Sequence, residues 1–487
     1  MKSKISSRLH ATAEASATLA DDRPSDATKL DYGDLLRTLV RRYQRGKRPV
    51  SINFRKLIPA LNSADRFNHL IHPYPAKLLV HIPYLFLTND LLSKPGDLVL
   101  DPFCGSGTVL LEAQLANRRA YGADANPMAR LIARVKTTPL DAGSTKRTLK
   151  EVLKRIPIEP SGERPDVVNL EHWFYPNTAR QLQCLQEAIM KVRTPAVLDF
   201  LMVCFSVCVR KVSLADPRLS VPVRLRLGQY PKKHPLREKS DSHLRRLRRV
   251  RVDEIFSRIA QANIARMERL QTAISRTGLA EILCSDARKL RHEYSLNGSR
   301  NKPLADESVQ LIITSPPYPG AQKYIRSCSL SLGWLQLCPA ADLRAYKACI
   351  IGREEFTNAE RSRVPKTNIA EAEKLLAVIQ SRSPIRAAIA ATYLDDMRIA
   401  IREMYRVLKP GGHAVMVAAN NRVSGLEFCT VDYLRDIAEE CGFHLTACFI
   451  DAIRSRGLMT KRNHTANVIT REWVLILSKG GVPEWGR

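Results

Sequence analysis

The stretch Leu98-Val-Leu-Asp101-Pro-Phe-Cys-Gly105-Ser-Gly107-Thr-Val-Leu-Leu111 decides how the chain is organised. Leu98 to Leu100 reads as a short apolar strand, two glycines follow as a turn, and Val109 to Ala116 has the pattern of a helix. A second strand ends near Asp124. Strand, glycine turn, helix and strand in this order open a doubly wound, Rossmann-like α/β sheet.

Downstream of this opening, strand signals return only at Glu281-Ile-Leu-Cys-Ser-Asp286 and Val309-Gln-Leu-Ile-Ile-Thr314. A helix is then expected from Tyr393 to Leu408, a turn at Lys409-Pro-Gly-Gly412, a strand from His413 to Ala419, a helix from Val431 to Cys441 and a last strand from Trp473 to Leu477. The intervening residues read as helices and basic loops. The chain therefore divides into an N-terminal arm (1–48) with one helix-like piece around Tyr32 to Tyr43, a first part of the core (49–142), a mainly helical, basic insertion (143–278) and a second part of the core (279–487).

A length of 487 residues exceeds one ordinary domain, in keeping with a core plus a large insertion. The formal net charge of +29 draws a polyanion such as nucleic acid. None of the 11 cysteines forms a C-x-x-C pair, and a reducing cytosol suits them. The first thirty residues lack an apolar signal core. The longest apolar stretch, Ala196 to Val209, is interrupted by Asp199 and is too short to span a bilayer, so a soluble cytoplasmic protein without a membrane partner is expected.

Gly105 and Gly107 let backbone approach a ligand at a helix N-terminus, although the same residues also suit a plain strand-to-helix turn. Asp124 closes the next strand, where a carboxylate can accept both ribose hydroxyls. The third glycine of a dinucleotide fingerprint is missing, and Asp101 puts a carboxylate where a pyrophosphate would be repelled. A zwitterionic amino acid and a sulfonium cation tolerate it, which points to S-adenosyl-L-methionine. Asp286 is placed to receive the adenine amino group, or is a strand-end turn residue.

Thr314-Ser315-Pro316-Pro317-Tyr318 follows a buried strand, and its two prolines fix the backbone outside a ladder. Rigid acceptors of this kind suit chemistry on an exocyclic amine, whose lone pair is delocalised into the ring. Hydrogen bonds from its two N–H groups to the Ser315 hydroxyl and the Pro316 carbonyl would pull the nitrogen toward a tetrahedral, nucleophilic form. Tyr318 offers an aromatic face for a base swung out of its helix. Methylation at carbon-5 would need a cysteine nucleophile, and no cysteine here follows a proline. Transfer from a sulfonium needs no Lewis acid, so no metal is expected.

Asp101 to Thr108 resembles the first motif of the amino-methylating DNA methyltransferases. His72-Pro-Tyr-Pro-Ala-Lys77 resembles the segment that precedes it, and Ser315 to Tyr318 resembles their catalytic motif. The resemblance covers the core on both sides of the insertion. It implies a class I methyltransferase core in which Phe103, Gly105 and Gly107 flank the methionine moiety, with Thr108 closing the motif, Asp124 holding the ribose and Lys77 near the amino-acid end. It also implies double-stranded DNA as partner, admits a cognate restriction endonuclease, and suggests a bacterial or archaeal cytoplasm with nucleoid association. In the resembling enzymes a Ser before Pro-Pro-Tyr accompanies cytosine more often, whereas Asp or Asn accompanies adenine. N4-methylcytosine is thus the expected product. An adenine-N6 enzyme, an RNA methyltransferase and a non-catalytic DNA-binding subunit are the alternatives.

Arg224 to Arg251 concentrates positive charge, including Lys232, Lys233, Arg245, Arg246, Arg248 and Arg249. Such a run neutralises phosphates or forms a solvated helix face. The segment Arg210 to Arg218 faces the substrate, or is a helix end with its turn.

Overall fold

Eight strands among the described residues form one sheet, and their order follows from where the apolar runs lie. They are β1 (Val50–Ile52), β2 (Leu98–Asp101), β3 (Arg119–Ala123), β4 (Ala280–Cys284), β5 (Val309–Thr314), β6 (Leu408–Ala418), β7 (Phe443–Ala452) and β8 (Arg471–Lys479). Across the sheet they run β1-β7-β8-β6-β5-β2-β3-β4. The computed structural model describes residues 31–61, 66–75, 77–274, 279–293, 302–319, 324–361, 364–452, 470–481, 483 and 485. Residues 1–30 of the expected arm lie outside the described residues.

Strands β2, β3, β4, β5 and β6 pair in parallel, while β8 is antiparallel to both β6 and β7. The chain winds outward from β2 to β4, then returns to the other flank of β2 as β5 and continues to β6. This is the doubly wound, Rossmann-like α/β topology. Its reversal falls between β2 and β5, whose carboxyl ends therefore lie side by side and open a crevice. Both strands are covered on two faces, so they read as continuous apolar runs: Val99, Leu100, Leu311, Ile312 and Ile313 are fully buried.

The expected turn at Lys409 to Gly412 is an excursion within β6. Val309 pairs with Leu408 and Leu311 with His413, so four residues of β6 loop out opposite Gln310. Gly411 turns the loop at φ +73°, and a Cβ on Gly412 would stand 3.0 Å from the Gln310 carbonyl. The helix expected from Tyr393 starts earlier and spans Pro384–Val407. Within residues 1–48, helix Tyr32–Gly46 is capped by the Asp31 carboxylate and buries Leu36 and Val40 in the core, and β1 follows it directly.

The region 143–278 is mainly helical where described, with irregular stretches at 155–169 and 213–226. Helices Ala142–Lys154, Pro176–Met190, Pro195–Val212, Pro235–Arg248 and Val252–Ala273 carry it. Phe200, Phe205 and Phe256 build a second apolar cluster there, joined by Trp334 from helix Tyr324–Trp334 beyond the Ser315–Tyr318 segment. Asp199, which interrupts the apolar run, pairs with Arg134 of helix Pro127–Thr137 at 2.7 Å and so ties the insertion to the sheet layer. No helix among the described residues is long and apolar enough to cross a membrane.

Candidate active site

At the crevice, β2 ends in Asp101 and β5 ends in Thr314. The two ends are bonded: the Thr314 hydroxyl donates to Asp101 Oδ1 at 2.6 Å, and the Phe103 N–H donates to the same oxygen at 3.1 Å. Burial pushes the Asp101 carboxyl up to about 7, helped by the charge of Asp124 and opposed by these hydrogen bonds. Asp101 thus serves as a buried brace between the glycine turn and the strand that delivers Ser315.

The turn itself is built on left-handed glycines. Gly107, at φ +75°, starts helix Thr108–Leu115, and a Cβ there would lie 2.9 Å from the Ala133 Cβ. Close helix packing therefore fixes Gly107. Gly105 sits at φ +49°, and an added Cβ would meet only Tyr74, at 3.7 Å, so its bare backbone faces open space. The Gly105 N–H donates to Asp124 Oδ2 at 2.9 Å, and the Asn126 N–H donates to Oδ1 at 2.8 Å. Burial raises the Asp124 carboxyl above its ordinary range. Each of its oxygens keeps a further lone pair for a ligand donor.

This framework surrounds one cleft that opens to solvent. Phe103, Gly105, Asp124, Asp286, Ser315 and Pro317 all contribute to its wall. No lysine, arginine or histidine lines it among the described residues, whereas two carboxylates do. That donor set suits a cationic or zwitterionic nucleoside with hydroxyl and amine donors. It does not suit a pyrophosphate.

Residues 57–134 match the family model described as DNA methylase. Over 440 residues the chain is 22% identical to the Type II methyltransferase M.MvaI of Kocuria varians, covering 85% of this chain and 92% of that one. The chain is thus similar to DNA methylases in its first core segment and to a Type II methyltransferase along most of its length. A shorter match, 33% identical over 97 residues, joins it to the Type II methyltransferase M.MjaII of Methanocaldococcus jannaschii and covers 20% of this chain and 18% of that one. Among solved structures, a SAM-dependent methyltransferase from Methanosarcina mazei aligns with 80% of this chain and 94% of its own, at 10% identity and a TM-score of 0.28. The acidic cleft with its bare glycine backbone fits S-adenosyl-L-methionine, the cofactor of such methyltransferases.

Asp101 and Thr108 stand behind the wall, as buried residues of the turn and helix start. Lys77 is not brought to the cleft. Its ammonium donates to the carbonyls of His69 (2.9 Å) and His72 (2.6 Å), and burial lowers it to about 8. It holds the entry segment in shape. From that segment Tyr74 does reach the wall, with its hydroxyl accepting from Asn126 Nδ2 at 3.2 Å.

Pro316 is buried, and Tyr318 lies beside the cleft, half-buried, with its hydroxyl donating to Glu472 Oε1 at 3.4 Å. The Asn421 amide donates to the Pro319 carbonyl at 3.0 Å and secures the far end of the loop.

The sequence reading missed the wall formed by Cys349, Ile350 and Ile351. No motif marks those residues. Asn126 was legible in principle, because Asn-Pro directly after a strand-end aspartate is a helix-start pair, and its side chain caps Met128.

In the insertion, Lys232, Lys233, Arg245, Arg246, Arg248 and Arg249 are all exposed. Arg245 pairs with Asp241 at 2.7 Å, and the Arg248 guanidinium lies 5.7 Å from the Tyr175 ring centroid. Arg210 is part-buried and donates to the carbonyls of Asp216 (3.1 Å) and Leu219 (2.6 Å), while Asp216 grips Arg218. These residues brace the loop that follows helix Pro195–Val212.

Proposed function

We propose that this protein methylates DNA on the exocyclic amine of a flipped base, and that the base is cytosine, giving N4-methylcytosine. What supports the reading is that the glycine turn and the Ser315 loop open on one cleft, joined by the Thr314–Asp101 hydrogen bond. Bound S-adenosyl-L-methionine supplies a methyl group on a sulfonium.

The chain's own part is orientation and polarisation. Phe103 and Gly105 hold the methionine end, Asp124 accepts from the ribose hydroxyls and Asp286 accepts from the adenine amine. The Ser315 hydroxyl and the Pro316 carbonyl accept from the target amine and localise its lone pair. A neutral hydroxyl at this position adds no fixed negative charge to a desolvated pocket. Tyr318 stacks on the flipped base.

The exposed cluster Lys232, Lys233, Arg245, Arg246, Arg248 and Arg249 contacts phosphates of double-stranded DNA. A bacterial or archaeal cytoplasm, nucleoid association and a cognate restriction endonuclease belong to the same proposal. Expression in methylation-free bacterial cells, followed by mass spectrometry of DNA nucleosides, tests it. N4-methylcytosine is expected. N6-methyladenine alone would replace the base but keep the mechanism, and unmodified DNA would remove the function.

A further inference from the structure

Arg288 stands two positions beyond Asp286, and its guanidinium joins three parts of the chain that are distant in sequence. Nε donates to Asp286 Oδ1 at 2.9 Å and Nη2 to Oδ2 at 3.1 Å, a two-pronged grip on one carboxylate. Nη1 donates to Asp396 Oδ1 at 2.7 Å, on helix Pro384–Val407. Nη2 also donates to the Cys349 carbonyl at 3.0 Å. The side chain is only 22% exposed and contributes nothing to the cleft wall itself.

Both anchored groups belong to that wall. Asp286 lines it directly, and Cys349 leads into Ile350 and Ile351, which line it as well. The segment then ends against the catalytic loop, because Gly352 sits at φ +80° where a Cβ would be 3.0 Å from the Tyr318 carbonyl. A planar fork bound on three sides cannot rotate without breaking several bonds. An aspartate at a strand end is ordinarily free to turn. Here both of its oxygens are held, Oδ1 also by the Arg288 backbone N–H at 3.0 Å, so the one lone pair left on Oδ2 keeps a fixed direction.

We infer that Arg288 is the positioning residue for the purine end of the cofactor, setting Asp286 as acceptor for the purine amine and Cys349–Ile351 as the apolar wall beside it. The inference rests on the proposed function, since it takes a purine nucleoside as the occupant of the cleft. Arg288 acts through these groups and touches no ligand.

Calorimetry on the full chain compares S-adenosylhomocysteine with S-inosylhomocysteine, whose purine carries a carbonyl in place of the amine. The wild-type chain should prefer the adenine compound by about ten-fold or more, the value of a hydrogen bond to a charged carboxylate. Arg288→Lys, which offers a point charge in place of a fork, should lose most of that preference. Its kcat at saturating cofactor should stay near wild type while KM for S-adenosyl-L-methionine rises. A lysine variant that keeps the full preference overturns the inference. Should that variant fail to melt cooperatively, Asp396→Asn carries the test: a smaller fall in preference supports the clamp, and an unchanged preference overturns it. Failure of the wild-type chain to bind either compound overturns the proposed function and this inference with it.

Discussion

The hydroxyl of Thr314 lies 2.6 Å from Oδ1 of Asp101, so the last residue of β5 is bonded to the last residue of β2. The glycine turn and the Ser315 loop follow these two residues, and the bond sets their relative height at the cleft.

The buried carboxylate makes stability depend on pH in a definite direction. Asp101 titrates near 7 in the folded chain, chiefly because of burial, against 3.8 ordinarily. Between those values the folded state holds a proton that the unfolded state has lost, so stability falls as pH rises toward about 7. Asn keeps an oxygen for the Thr314 and Phe103 donors and carries no charge. Asp101→Asn should therefore melt higher than wild type at pH 8, by on the order of a few degrees, and the gain should shrink at pH 5. Equal shifts at both pH values would contradict the assignment.

The two glycines should respond differently to substitution. Gly107→Ala brings both a strained φ and a Cβ 2.9 Å from Ala133, and should cost about 2 kcal/mol or more in denaturant unfolding. Gly105→Ala meets nothing closer than 3.7 Å, and should cost about 1 kcal/mol while weakening S-adenosyl-L-methionine binding. Asp124→Ala should weaken binding further, because the Gly105 and Asn126 N–H groups lose their acceptor. Calorimetry on folded variants separates the effects. Wild-type affinity in both Gly105→Ala and Asp124→Ala would remove the cofactor site.

The central strands were legible because burial on both faces makes Leu98 to Leu100 and Leu311 to Ile313 unbroken apolar runs. Strand β7 was not, since Phe443-His-Leu-Thr-Ala interleaves polar residues that the antiparallel partner β8 accommodates; Thr446, for instance, donates to the Ser478 hydroxyl at 3.1 Å. The motif residues lining the cleft are adjacent in sequence to strand ends, which is why local pattern could find them. The wall at Cys349–Ile351 has no local signal, because its contacts, such as the bond from Arg288 to the Cys349 carbonyl, come from residues distant in sequence. Lys77 shows the reverse. The resemblance of its segment implied a place near the cofactor's amino-acid end, whereas nearby carbonyls take up the ammonium.

Neutralising the basic run measures how much of it meets DNA. Replacing Arg245, Arg246, Arg248 and Arg249 with Gln together should reduce the slope of log affinity against log salt by up to about 0.9 for each phosphate left without its cation. Arg245 is paired with Asp241, so its share should be smaller than that of Arg249. An unchanged slope would mean that the helix face is merely solvated.

The role proposed for Tyr318 rests on its ring, and its hydroxyl allows that to be tested separately. The hydroxyl donates to Glu472 at the long distance of 3.4 Å, and burial raises the Glu472 carboxyl above its ordinary range. Such a bond orients the ring but contributes little energy of its own. Tyr318→Phe keeps the stacking face, and should methylate DNA within a few-fold of wild type. Tyr318→Ala removes the face and should lower kcat/KM by about ten- to hundred-fold, the range for one base stacked on an aromatic side chain. Cofactor affinity should hold in both variants, since Tyr318 is not part of the cleft wall that Gly105 and Asp124 share. Ser315 does line the cleft, but the proposed role leaves cofactor contacts to Phe103, Gly105 and Asp124, so Ser315→Ala should still bind cofactor yet lose most activity if its hydroxyl polarises the amine. Tritiated methyl transfer to DNA, run beside calorimetry on each variant, distinguishes these cases. Equal loss in Tyr318→Phe and Tyr318→Ala would assign the role to the hydroxyl and its bond to Glu472 and take it from the ring.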